Sequence, residues 1–185
     1  MDDYFRIFGN NQKIIAMKDF LSLASERYSC RKYKADPVSQ AQIDNILEAA
    51  RLAPTAANKQ PVHVWVVKSA EALEKIDSAT QYRYGAPVVF MVGCKADAAW
   101  VRKYDGKNGA EVDAAIVGTH IMLEASALGL GNVWVGSFDP AKLAEAFPQT
   151  AGYEIVCLFP VGHADAAPGP KHCQRVMMEE FATEV

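Results

Sequence analysis

The hydrophobic positions of this chain change period several times, and each change marks an element. Ile14, Ile15, Met17, Phe20, Leu21 and Leu23 recur at helical spacing and predict a helix that ends near Ser25. Asp36-Pro37-Val38 reads as a turn. Ser39 then stands as the N-cap of a helix running to about Ala53, with Ile43, Ile46, Leu47 and Ala50 on its apolar face and Pro54 to stop it. Val62-His63-Val64-Trp65-Val66-Val67 is a β-branched run and predicts a strand. A helix over 69–80 follows. A second strand over 87–93 is so uniformly apolar that it should be covered on both faces. Residues 97–108 carry no period and predict an irregular segment.

The longest helical pattern covers 111–128. Val112, Ala115, Ile116, Val117, Ile121, Met122, Leu123, Ala125 and Ala127 run almost right round it. A helix apolar on every side must be buried on every side. One domain of this size rarely encloses a helix completely, so the pattern points to a subunit interface. Gly129 to Asn132 ends it. A short strand is expected over 133–136, a short helix from the Asp139-Pro140 cap to Phe147, a long strand over 154–161 and a last short helix over 177–183. Helices alternating with buried strands predict an α/β fold with helices on both faces of a sheet.

Length and composition narrow the class. The chain has 185 residues, the size of one domain. Half of it is hydrophobic, enough for a real core. A net charge of −3 gives no support to a nucleic-acid surface. No apolar run approaches the roughly 20 residues of a membrane span. Met1-Asp2-Asp3-Tyr4 lacks the basic and apolar build of a secretory signal. Residues 1–17, with Tyr4, Phe5, Ile7 and Phe8, read as an arm ahead of a single domain over 18–185. Cys30, Cys94, Cys157 and Cys173 are widely spaced, with no CxxC or His/Cys cluster, so no metal site is expected. Cys94 and Cys157 sit in apolar runs, as buried free thiols do. These features describe a cytoplasmic, reduced protein. No repeat is present, and no glycine-rich phosphate loop opens a helix.

Three stretches carry candidate chemistry. In Arg27-Tyr28-Ser29-Cys30-Arg31, an extended backbone would project Arg27, Ser29 and Arg31 to one side and Cys30 to the other. Two guanidiniums and a hydroxyl on one side make a place for an anion, and the planar arginine fork suits a phosphate. The plainer alternative pairs these arginines with Glu26 or Asp36. Pro54-Thr55-Ala56-Ala57-Asn58-Lys59-Gln60-Pro61 is a loop fixed by two prolines, with two side-chain amides, feeding directly into a strand. It is a ligand-presenting loop or a mere connector. Pro168-Gly169-Pro170-Lys171-His172-Cys173-Gln174-Arg175 is a second basic cluster.

Four pieces in this order resemble the FMN-dependent nitroreductase family: Arg27-x-Ser29-x-Arg31, Pro54-Thr55-x-x-Asn58-x-Gln60-Pro61, Gly129-Leu130-Gly131-x-x-Trp134-x-Gly136, and Val161-Gly162 followed by the basic tail to Arg175. The resemblance covers residue 18 to the C-terminus. It implies a nitroreductase-like α+β domain with a mixed central sheet, working as an intertwined homodimer with FMN at the interface. It implies that Arg27, Ser29 and Arg31, with Tyr28 between them, hold the phosphate and ring edge. It brings the loop Pro54, Thr55, Ala56, Asn58 and Gln60 from the other subunit to the flavin, and sets Val135 and Gly136 beside the ring. Arg175 matches a phosphate-binding arginine. A lysine usual two residues earlier is Cys173 here, which leaves Lys171 or His172 to take its place, and Val135 stands where a polar residue is customary.

The resulting expectation is a ping-pong oxidoreductase that passes hydride from NAD(P)H through FMN to a small aromatic, electron-poor acceptor such as a nitroaromatic or quinone. The flavin carries the hard step, so no side chain is nominated as acid, base or nucleophile. His63 and His120 read as packed residues and His163 as a turn residue. Trp100, Arg102 and Tyr104 are candidates to line or cover the cleft. The alternatives are a non-enzymatic FMN-binding redox module and a reductive dehalogenase-like flavoenzyme.

Overall fold

The computed structural model describes residues 19–185; the arm over 1–17 and the start of the first expected helix lie outside the described residues. Among the described residues six α-helices flank one sheet. They are α1 (Phe20–Glu26), α2 (Gln40–Arg51), α3 (Ala70–Ala79), α4 (Ala110–Ala127), α5 (Pro140–Ala146) and α6 (Met178–Phe181). The strands are β1 (Val62–Val67), β2 (Val88–Cys94), β3 (Gly131–Asn132) and β4 (Glu154–Gly162). Helix starts follow local chemistry. Ser39 Oγ accepts the Gln42 N–H while the Gln42 side chain accepts the Ser39 N–H, a reciprocal cap on α2. Asp139 accepts the N–H groups of Ala141 and Lys142, with Pro140 at the first helical position of α5.

The strand order is β1-β2-β4-β3, with every strand-to-strand ladder antiparallel. The sheet is thus antiparallel rather than mixed as expected, and the one parallel pairing at its margin is an isolated bridge between Ser29 and Asn132. Every residue of β2 is buried. Its period-two alternation feeds two cores. Val88, Phe90 and Val92 meet α2 and α4, whereas Val89 and Met91 meet Ile76, Leu143 and Phe147 on the other face. Burying a side chain such as Phe90 or Phe159 stabilises the fold by about 1.5–3 kcal/mol.

Helix α4 runs between α2 and the sheet. Ala110, Ala114, Val117, Gly118, Ile121 and Ala125 form its buried stripe. A Cβ on Gly118 would stand 2.9 Å from the rings of Phe159 and Trp134, so only glycine lets the helix lie this close. The all-round burial expected of this helix is only partly met within one chain, since Val112 is 53% exposed. The short strand expected over 133–136 is also displaced. Only residues 131–132 pair with β4 as β3, and Val135 rejoins through an isolated bridge to Leu158. Between the two, Trp134 lies edge-on against Phe159, with ring centroids 5.1 Å apart.

Candidate functional site

The Arg27–Arg31 stretch begins where α1 ends. Arg27 is the C-cap, with φ −59° and ψ 127°, so the chain leaves the helix extended. From there it is stitched to the far margin of the sheet. Cys30 N–H donates to the Asn132 carbonyl at 2.9 Å, Lys34 N–H to His163 at 2.8 Å, and Asp165 N–H to Lys32 at 2.9 Å. Alternation then does the sorting: Cys30 is fully buried while Ser29 and Arg31 face outward. The close approach needs Gly131, where an added Cβ would stand 2.8 Å from the Cys30 sulfur. Behind the segment, the Tyr33 hydroxyl lies 2.9 Å from the Cys30 carbonyl and 3.0 Å from that of Pro160, and burial pushes its pKa well up. It is a fixed neutral hydrogen-bonding group.

The C-terminal tail folds back over this segment. Tyr28 donates its hydroxyl to the Ala166 carbonyl at 2.6 Å, and its ring meets His172 edge-on. A turn brings His172 N–H to the Gly169 carbonyl at 2.9 Å. Arg175 donates to the carbonyls of His172 and Gln174. The result is a cavity of about 480 Å³. One wall is Arg27, Tyr28, Ser29 and Arg31, and the other is Gly169, Pro170, Lys171, His172 and Arg175. Of these nine residues four are arginine or lysine and none carries a carboxylate, which is the donor set a phosphate dianion requires. Two basic clusters roughly 140 residues apart in sequence therefore form one cradle. Lys171 and His172, between which the sequence left the choice open, both belong to its wall, and so does the Gly169-Pro170 turn, which was not singled out as binding from sequence. The Pro-Gly-Pro turn at 168–170 was the available signal.

The remaining expected site residues lie elsewhere in the chain. Thr55 and Gln60 line a cleft of about 260 Å³ beside α2 and β1. Ala56 lines a separate cavity of about 220 Å³ with Trp100, Arg102 and Asp113. The loop carrying them is rigid by its own bonds: Thr55 Oγ1 accepts the Gln60 N–H at 3.0 Å, and the Gln60 side chain donates to Asn58 Oδ1 at 3.0 Å. Ala57, Asn58 and Gln60 all hold left-handed backbone, with φ of 51°, 52° and 49°. Asp113, unremarked in the sequence, is 1% exposed and accepts the Ala56 N–H at 2.9 Å. Val135 is buried in the sheet, and the exposed Gly136 borders an open cavity of about 830 Å³ with Glu111, Tyr153 and Glu154. Within one chain, then, the cradle residues meet and the loop and Gly136 do not join them.

Other candidates sort by contact. Arg102 is held in a two-pronged ion pair with Asp105, and Tyr104 is 85% exposed. His63, expected as packed, is exposed at the edge strand β1, its ring 4.6 Å from that of Trp65. His120 bonds the Ile116 carbonyl within its own helix. Burial pushes the Cys94 thiol up to about 11 and that of Cys157 further, so neither is a nucleophile near neutrality. Among the described residues no group of three His, Cys, Asp or Glu could hold a metal, and no helix is long and apolar enough to cross a membrane.

The family profile described as Nitroreductase family matches residues 24–84 and 81–163. The chain belongs to that family. A solved nitroreductase family protein of Clostridium difficile 630 is 34% identical, covers 90% of this chain and 98% of its own, and superposes with a TM-score of 0.85. A relative from Methanothermobacter thermautotrophicus, named as a candidate NADH dehydrogenase/NAD(P)H nitroreductase, is 35% identical over 132 residues, 67% of this chain. The match spans 64% of that relative's length. A candidate nitroreductase of Exiguobacterium sibiricum 255-15, solved in complex with FMN, shares the fold at 23% identity and a TM-score of 0.80, over 91% of this chain and 98% of its own.

Proposed function

We propose that this chain is an FMN-dependent oxidoreductase that takes reducing equivalents from NAD(P)H and delivers them, in ping-pong order, to an electron-poor acceptor such as a nitroaromatic or quinone. The observation that carries the reading is the acid-free cradle, where Arg27, Ser29 and Arg31 face Lys171 and Arg175 across one cavity. FMN ends in a phosphate of about two negative charges, and such a group needs fixed cationic donors when it leaves water. Bound there, FMN supplies the two-electron chemistry, and the protein supplies binding, orientation and electrostatics.

The chain's own residues divide that work. Arg27 and Arg175 grip the phosphate, with Tyr28 and Lys171 at its margin. Arg31 offsets negative charge at the pyrimidine end of the ring. The backbone at Val135 and Gly136, of which Gly136 borders a cavity separate from the cradle, would lie beside the ring. Asn58 and Gln60 each hold a donor and an acceptor, which suits the alternating ring edge. Pro54, Thr55 and Ala56 place those amides. Because this loop stands away from the cradle of its own chain, we assign it to the flavin of a second copy, in a homodimer joined partly through α4, where Val112 is left open. The free cysteines fit a reducing, cytoplasmic compartment.

The test is the visible spectrum of the purified protein, followed by anaerobic titration with NADH and NADPH. A yellow protein whose flavin band bleaches on adding either donor is expected. A protein that stays colourless with added FMN overturns the cofactor assignment. Tight FMN binding without bleaching overturns the NAD(P)H step and leaves a redox module.

A further inference from the structure

We propose that Asp113 is a positioning residue: its buried carboxylate pins the loop over 54–60 to α4 and so fixes where Asn58 and Gln60 stand against the flavin of a second copy. The proposal rests on the flavin reading above. Its structural half stands on this chain alone.

Four observations carry it. Asp113 is 1% exposed, and Oδ1 accepts the Ala56 N–H at 2.9 Å across 57 residues of sequence. Oδ2 is buried as well and has no partner among the described residues. A buried carboxylate with one oxygen unsatisfied costs free energy that a leucine or alanine at this helix position would not. It is not needed to cap the helix either, because Asn108 Oδ1 already accepts the Ala110 N–H at 2.9 Å. The loop supplies the reason. Ala57, Asn58 and Gln60 are each held in left-handed backbone without being glycine, a conformation that L residues leave unless the surroundings over-determine it. Bonds inside the loop give it shape. The Ala56–Asp113 bond ties that shape to the longest helix of the fold. The anchor is set in the early part of α4, where the helix dipole favours negative charge.

Asp113→Ala and Asp113→Asn form a graded series. In flavin-free protein, the Ala56 amide should exchange with solvent about tenfold or more faster in Asp113→Ala, since a bond to a charged acceptor is lost. Asp113→Asn should fall between, because a neutral acceptor makes about half as strong a bond. In flavin-loaded protein, Asp113→Ala should keep FMN affinity within about threefold, as the cradle is untouched. Its visible flavin band should shift and its kcat/KM should fall, with Asp113→Asn restoring part of both. Unchanged Ala56 exchange overturns the proposal. Faster exchange with an unaltered flavin band and unaltered kinetics overturns the positioning role, leaving only a structural tie. If wild-type protein takes up no flavin, the flavin reading fails together with the flavin half of this one, and the exchange series still decides the anchor. Should Asp113→Ala not fold, Asp113→Asn carries the test, and no rise in its Ala56 exchange overturns the proposal.

Discussion

The cradle and the amide loop solve opposite problems. The cradle is assembled from two ends of the chain: backbone bonds from Cys30 to Asn132, Lys34 to His163 and Asp165 to Lys32 seat its first wall on the sheet margin, and Tyr28 meets the tail at Ala166 and His172. Its functional side chains are outward and partly solvated. The loop is local, spanning residues 54–60, yet it holds three left-handed residues and is tied down by one buried carboxylate. A cradle for a dianion needs charge gathered from wherever the fold can bring it, and tolerates some looseness, because Coulomb attraction falls off slowly with distance. Hydrogen-bonding amides must be placed to within a fraction of an ångström, which explains why strain and a desolvated anchor are found there and not at the cradle.

The largest expected effect separates the two by charge. Arg27→Ala should weaken FMN binding by roughly 10- to 100-fold, the loss of a charged hydrogen bond of about 1.5–3 kcal/mol. Arg51→Ala is the control. Arg51 is exposed, pairs with Glu48 on the surface of α2 and lies outside the cradle, though beside the cleft of Thr55 and Gln60, and its loss should weaken FMN binding far less than that of Arg27. Equilibrium titration of flavin into both variants measures the difference, and equal affinities would remove the phosphate assignment.

A second contrast concerns backbone. Gly131→Ala puts a Cβ 2.8 Å from the buried Cys30 sulfur at the back of the cradle, which forces the segment outward and costs about 1–3 kcal/mol. Ala57→Gly acts on the loop in the other direction. Its φ of 51° carries a Cβ penalty that glycine lacks, offset in part by the greater freedom of glycine in the unfolded chain. A net gain of about 0.5–1 kcal/mol is expected. Denaturant titration of both variants checks the opposite signs, and destabilisation by Ala57→Gly would contradict the claim of strain.

Much of this was legible in the residues because the signals were local. Ser39 with Gln42 three residues on is a cap readable by eye, and the β-branched run over 62–67 coincides with β1. The alternation at 27–31 set Cys30 on the side opposite Ser29 and Arg31, and that side is the buried one. The signals that failed were relational. The strand expected over 133–136 is interrupted, with pairing at 131–132 and again at Val135, and between them Trp134 packs edge-on against Phe159 of β4. Asp113 hid inside an apolar helical pattern, and its partner is a backbone amide 57 residues away, which no side-chain spacing encodes. His63 looked packed by its strand, but β1 is the edge strand and leaves it exposed. The relation of the loop to the cradle was not legible either, since within this chain the two line separate cavities.

The smallest expected effect tests whether the back of the cradle depends on charge at all. Lys32 and Asp165 pair at 2.8 Å across the seam joining the Arg27–Arg31 segment to the chain after β4, both side chains being largely exposed. Hydrogen bonding to the Lys32 ammonium holds the Asp165 carboxyl below the usual aspartate range. A carboxyl whose folded pKa is depressed contributes stability above its unfolded pKa, and that contribution is lost as pH falls through the folded value. The window therefore lies below about pH 4. Thermal melts of wild type and Lys32→Ala should nearly coincide at neutral pH, as exposed pairs contribute little. Any small gap should close as the solution is taken below pH 4, where Asp165 loses its charge in both. A large gap at neutral pH that closed below pH 4 would instead mean that the seam is held by the pair, and the backbone bonds at Cys30, Lys34 and Asp165 would have to be demoted from their role in holding the Arg27–Arg31 segment in place.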